Sequence, residues 1–212
     1  MMEAMTDGYD QIYLDLIPRL AACELAQNAA HLGLTVTAGG QVTVELFGRP
    51  YLVSPSGVEP ADGQPAEVNE RSLVAIYAMS PGRGEPGSSF VPVFRLYGGV
   101  DGGSFDKMRL HARLLREFGG DYAKFAAAAR RLGGVLRPGS PDSGHCWDFR
   151  PLPRIPARVV FHEADDEFPA DIQVMFDPGA LRFLEFECLV VLAGCFANAL
   201  IRAATGASPG GM

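Results

Sequence analysis

With 212 residues, 48% of them hydrophobic and 20% charged, and a formal net charge of −7, the chain has the composition of a globular protein and not that of a collagen, a low-complexity segment or a disordered tail. The acidic balance excludes general nucleic-acid binding, which needs cations to neutralise phosphate. A compact chain of this length buries roughly 70–75% of its unfolded surface, so a single domain over residues 1–212 is expected, ordered from about residue 9 to about residue 203.

The opening MMEAMTDGYDQ has no basic region followed by an apolar run, so no leader is expected and the cytoplasm is the expected address. From Tyr9 to His31 the residues Ile12, Tyr13, Leu16, Leu20, Cys23 and Ala26 recur at helical spacing. Pro18 is expected to kink this helix or to start a second segment, because it lacks the donor of an interior turn. Leu34–Val36, Val42–Phe47 and Tyr51–Val53 alternate apolar and polar residues around Gly39-Gly40 and Gly48-Arg49-Pro50, the pattern of a small antiparallel meander. Pro55 to Pro65 is read as a polar loop, Glu67 to Met79 as a helix ended by Ser80-Pro81-Gly82, and the following stretch to Phe90 as a glycine-rich loop.

Ser104 is placed to cap a helix from Phe105 to Phe118, and Gly119-Gly120-Asp121 separates it from a second, Tyr122 to Leu132. Val135–Leu136, His145–Phe149, Arg158–Glu163 and Ile172–Phe176 carry strand-type residues. A last helix runs from Ala180 to about Ala203, and its apolar segment Cys188–Ile201 is shorter than the ~20 residues of a membrane span. It is therefore expected as a buried helix or a subunit interface, with no membrane partner and with a homodimer packed through it compatible. The predicted fold class is α+β: antiparallel strands and hairpins packed with an N-terminal helix, a middle helical pair and a long buried C-terminal helix.

The order of RLYGGVDGGSF, RIPARVVFHEADDEFPADIQVMFD and the helices between them resembles an uncharacterised bacterial and archaeal family, number 3786 among the domains of unknown function. Arg154, Ile155 and Pro156 fall in its strand signature, Glu167, Phe168, Pro169 and Ala170 in its acidic turn, and Gly98 and Gly99 in its glycine segment. The similarity runs from about Tyr9 to Arg202 through short motifs, and it implies fold more than function. Relatives with a cysteine-rich iron–sulfur module imply redox or cofactor partners for the family. Cys23, Cys146, Cys188 and Cys195 form no such module, so cluster binding by this chain is in doubt.

Between Phe161 and Asp177, the residues His162, Glu163, Asp165, Asp166, Glu167 and Asp171 supply the oxygen and imidazole ligands of a divalent-metal site. Strand alternation makes His162 and Glu163 diverge, and the EF-hand spacing and glycine are missing. A solvated hairpin turn is the preferred reading, with Phe168 pinning it to the core and metal binding by His162, Glu163, Asp165, Asp166 and Glu167 the alternative.

The Gly98 to Ser104 loop ahead of a helix resembles a phosphate cradle only superficially, because no GxxxxGK[ST] or GxGxxG is present and Asp101 and Asp106 repel phosphate. Lys107 to Arg137 is cationic within an acidic protein, with Arg109, Arg113 and Arg116 on one helical face and His111 to the side. A small anionic ligand or an acidic protein partner at Arg109, Arg113, Arg116, Gly98 and Gly99 is the leading expectation, against a solvated face paired with the acidic turn. Nucleophilic catalysis has little support. His145 and Cys146 point apart on a strand, no GxSxG occurs, His31 and His111 lack evident partners, and Cys188 and Cys195 share an apolar helix face. The leading function is thus a non-catalytic small-molecule or partner-binding protein, the alternatives being a metal- or redox-dependent enzyme around His162 or a structural subunit of an assembly.

Overall fold

The computed structural model describes residues 8–96, 104–139 and 144–206, with the side chains of 104–109 outside the description. Its helices are α1 (Gly8–Ala22), α2 (Leu25–Leu32), α3 (Val68–Ala78), α4 (Ser104–Phe118), α5 (Tyr122–Arg131) and α6 (Phe186–Thr205). Its strands are β1 (Thr35–Val36), β2 (Val42–Leu46), β3 (Arg49–Ser54), β4 (Gly57–Pro60), β5 (Val91–Pro92), β6 (Val135–Leu136), β7 (His145–Leu152), β8 (Ile155–His162) and β9 (Asp171–Phe176). They form two antiparallel sheets, ordered β1-β2-β3-β4 and β5-β9-β8-β7-β6, so the fold is α+β.

The first sheet carries α1, α2 and α3 on its buried face, which presents Val42, Val44, Leu46, Tyr51, Val53 and Val58. Pro18 lies inside α1 and does not interrupt it; the break falls at Cys23-Glu24. Pro18 is exposed, so water can take the carbonyl that its missing N–H leaves free. The stretch read as a polar loop contains β4, an edge strand whose Val58 amide donates to the Tyr13 hydroxyl at 2.8 Å. That partner comes from α1, and β4 itself is short and ends in proline, so it gives no periodic signal.

The second sheet turns Trp147, Phe149, Val159, Phe161, Val174 and Phe176 inward against α4, α5 and α6. Phe125 meets Trp147 edge-on at 6.3 Å and Phe161 at 5.1 Å, and Phe149 meets Phe196 edge-on at 4.8 Å. Aromatic pairs at such spacings contribute about 0.5–1.5 kcal/mol beyond their buried area. One contiguous cluster of buried side chains runs through both sheets and α6.

The predicted last helix divides into a 3-10 turn at Pro178–Arg182 and α6. The buried Phe183 and Leu184 separate them, and the Asp177 carboxylate accepts the Gly179 amide at 2.8 Å to start the turn. With 20 residues, α6 is shorter than the predicted helix but longer than its apolar segment Cys188–Ile201 and, by length and composition alone, could cross a bilayer. It is only partly buried: Leu189, Leu192, Ala193, Cys195, Phe196, Ala197, Ala199 and Leu200 enter the core, while Val190, Val191, Gly194 and Ile201 keep some exposure.

Asp177, 4% exposed, also accepts the amides of Gly87 and Ser89 at 3.2 Å each, strapping the loop before β5 to the end of β9. A Cβ at Gly87 would stand 2.4 Å from the Asp177 carboxylate, so this close approach requires glycine. Arg154 is a second clamp. Its amide donates to the Tyr77 hydroxyl at 2.9 Å, its Nε to the His31 carbonyl at 3.2 Å and its Nη1 to Glu85 at 2.5 Å. The Arg-Ile-Pro signature therefore starts in the β7–β8 turn and ties that turn to α2, α3 and the glycine-rich loop.

Candidate functional site

The β2–β3 hairpin is closed by two residues, Phe47 and Gly48, with Leu46 paired to Arg49. Both turn residues have positive φ, 53° and 78°, as in the hairpin turns that match strand twist and that normally take Asn-Gly. Phenylalanine in the left-handed region costs about 1–2 kcal/mol. Tertiary contacts hold it there: the Phe47 amide donates to the Pro151 carbonyl of β7 at 2.9 Å, and its ring stacks on Phe196 of α6 at 5.7 Å.

Behind this turn lies a cavity of about 390 Å³. Leu46, Phe47, Arg49 and Tyr51 of the hairpin form one wall, α3 contributes Glu70, the end of α5 contributes Arg131 and Leu132, and the last turns of α6 contribute Ala199, Arg202 and Ala203. Convergence of four separate elements on one concavity is the usual construction of a small-molecule seat.

Glu70 organises the polar side of the cavity. It sits in the first turn of α3, where the helix dipole favours a carboxylate, and is 4% exposed. A buried carboxylate requires partners. Glu70 Oε1 accepts from Arg202 Nη2 at 2.6 Å and Oε2 accepts from the Tyr51 hydroxyl at 3.0 Å. Arg49 stands 3.9 Å from the same carboxylate, yet its principal contacts are elsewhere. Its Nε and Nη2 donate to Asp62 at 3.0 and 2.9 Å, and the carbonyls of Gln64 and Pro65 accept at 2.8 and 3.1 Å. Arg49 thus clamps the loop after β4, while Arg202 holds Glu70.

Burial, and then the Glu70 charge, push the Tyr51 hydroxyl well above its usual range and keep it a donor. Burial, reinforced by Glu70, pushes the Cys195 thiol up to about 12. Neither group is activated as a nucleophile, because both are held in the protonated form.

Among the described residues, those singled out by sequence do not gather here. Gly98 and Gly99 lie outside the described residues, and Arg109 is described only through the backbone of α4. Arg113 donates to the Asn198 side chain of α6, whereas Arg116 is exposed. Among the described side chains of the cationic segment Lys107–Arg137, Arg131 lines the cavity, donating Nη1 to the Ala203 carbonyl at 2.6 Å.

In the acidic turn, Glu163, Asp165, Asp166 and Glu167 are all exposed. His162 packs against Gly144, whose Cβ position is 2.8 Å from the ring, while Glu163 meets His145 Nε2 at 2.8 Å. Asp165 accepts the amides of Glu167 and Phe168 at 2.8 and 2.7 Å, which hold its carboxyl below the usual carboxylate range. Phe168 does not pin the turn to the core; it is 66% exposed, because the chain reverses through Asp165 before the ring can reach the sheet. Among the described residues, no group of three or more His, Cys, Asp and Glu side chains stands close enough to hold a metal ion. The four cysteines are free.

His111, expected to be without a partner, has one: its Nε2 lies 2.5 Å from Asp171 Oδ1, across the contact of α4 with β9. His31 Nε2 lies 3.3 Å from the Ser80 carbonyl. His145 stacks on Tyr122 with centroids 3.6 Å apart. Sequence reasoning passed over Phe47, Tyr51, Glu70 and Arg202. The signals available were a bulky residue where a hairpin prefers asparagine and a charged residue on the apolar face of VNERSLVAIYA.

The sequence pattern of the family described as a domain of unknown function (DUF3786) matches residues 24–199, most of the chain, and the chain belongs to that family. The match starts after α1 and ends within the last turns of α6. Neither a curated protein nor a solved structure matches the chain.

Proposed function

We propose that this member of the family is a binding protein for a small organic molecule, and that the cavity behind the Phe47-Gly48 turn is its seat. The observation that carries the reading is the buried Glu70, fixed by Arg202 and Tyr51 at the wall of a cavity of about 390 Å³. That volume lies within the roughly 300–1,000 Å³ of small-molecule sites. The apolar wall of Leu46, Phe47, Leu132 and Ala199 supplies burial, and the polar side orients. Binding is favoured over catalysis because Tyr51 and Cys195, the potential nucleophiles around Glu70, are both driven toward their protonated forms.

Fluorescence titration with prodan, a neutral polarity-sensitive naphthalene, tests the reading. We expect saturable binding of one prodan per chain in the wild type. Ala203→Trp, which fills the cavity from its rim, should weaken that binding at least about tenfold while leaving the circular dichroism unchanged, by the ordinary scale of a lost pocket contact. Equal prodan binding by a folded Ala203→Trp variant would place the seat elsewhere.

A further inference from the structure

The donors and acceptors around the cavity do not balance. Both oxygens of Glu70 are engaged, one by Arg202 and one by Tyr51, and Asp62 is engaged by Arg49. Arg202 directs one N–H to Glu70, and Arg131 directs one to the Ala203 carbonyl. Each guanidinium carries five N–H donors and no acceptor, and among the described residues each gives one of them to the protein, so donors remain that can serve a ligand in the space they line.

The charges point the same way. Arg49 is matched by Asp62 and Arg202 by Glu70, whereas the protein contact of Arg131 is a neutral carbonyl. Among the described residues, one positive side-chain charge is left over. The ends of α5 and α6 also border the cavity through Leu132 and Ala203, and their free carbonyls present partial negative charge that disfavours a ligand carrying more than one negative charge. A second negative charge on the ligand would meet those helix ends and Glu70. A planar carboxylate fits the guanidinium fork and carries a single charge, whereas a phosphate monoester carries nearly two.

Resting on the binding reading above, we infer that the ligand is a monocarboxylate with an apolar, ring-sized body. Its carboxylate is seated on Arg131 and Arg202, and its body lies along Phe47 and Leu132. The strained turn at Phe47 sets the apolar wall, and Glu70 fixes the Arg202 fork from behind.

Calorimetric titration with naphthoate and its neutral carboxamide, naphthamide, tests this assignment, with prodan as the reference for the cavity itself. We expect naphthoate to bind at least about tenfold more tightly than naphthamide, the scale of one charge-assisted hydrogen-bonded contact. Arg131→Gln should bring naphthoate down to the level of naphthamide, and raised salt should weaken only naphthoate. Arg131 is exposed, so the variant is expected to fold. Equal binding of acid and amide, or naphthoate binding unchanged in Arg131→Gln, overturns the carboxylate assignment and leaves the cavity reading intact. Failure of naphthoate while prodan binds does the same. Failure of all three probes overturns both.

Discussion

The cavity wall and the tip of the β8–β9 hairpin each carry four charged side chains, Arg49, Glu70, Arg131 and Arg202 in one and Glu163, Asp165, Asp166 and Glu167 in the other. At the tip all four are exposed; Asp165 accepts two amides of its own turn, and Glu163 meets His145 of the neighbouring strand near the surface. At the cavity, Glu70 is buried and takes partners from β3 and α6, far away in sequence. Water makes neighbouring charges at the tip nearly independent. In the drier wall each charge constrains where the next must stand. Density of charge along a chain is therefore a poor guide to a site, and burial of a single charge is a better one.

The largest effect is expected at Glu70. Glu70→Ala strands Arg202 and the Tyr51 hydroxyl, and we expect a loss of about 2–4 kcal/mol in urea unfolding, toward the lower side of buried pairs because Arg202 is partly exposed. Combining Glu70→Leu with Arg202→Met should recover most of that loss, since the pair itself contributes little net stability once its desolvation is counted. A loss below about 1 kcal/mol for Glu70→Ala would mean that the wall behaves like the tip.

A smaller effect is expected at the turn. Phe47→Val should destabilise by about 1–2 kcal/mol more than Phe47→Gly, because a β-branched residue resists the left-handed region and glycine does not. Equal losses would show that ring packing on Phe196, and not backbone strain, dominates the position.

Asp171 lies between the two extremes. Partial burial raises its pKa, but the hydrogen bonds of Gln173 and His111 more than offset this, so the carboxyl is held below its usual value. A depressed carboxylate stabilises the fold above its unfolded pKa, about 3.9, and that contribution disappears as pH falls through the folded value. The melting-temperature gap between wild type and Asp171→Asn should be present at neutral pH and close below about pH 4. A gap that persists under acid would assign the effect to packing.

The smallest effect belongs to the tip. Asp165→Ala should leave the unfolding midpoint unchanged and accelerate hydrogen exchange only at the amides of Glu167 and Phe168. A shift of the whole transition would show that the turn is coupled to the sheet.

Much of the fold could be read from local pattern. The α4–α5 pair, β2 and β3, and the strands β7, β8 and β9 have side-chain periods strong enough to show in a single sequence. The elements that escaped, β4 and β5, are short edge strands with proline, and their order depends on partners elsewhere: Tyr13 for Val58, and β9 for Val91 and Pro92. Of the candidate site, Arg131 stood within a visible cationic run, but Arg113 in the same run turns to Asn198 and Arg116 to solvent. Helical spacing assigns a face and not what covers it.

Local pattern along the chain specifies the α+β class, the helices and the longer strands, because backbone preference and hydrophobic period act within a few residues. Which charges leave water is set by long-range packing. Glu70 meets Arg202 across 132 positions, and Phe47 is held at positive φ by Pro151 and Phe196. Pairing and strain of this kind arise from packing, which brings distant residues into one low-dielectric space that no local pattern encodes.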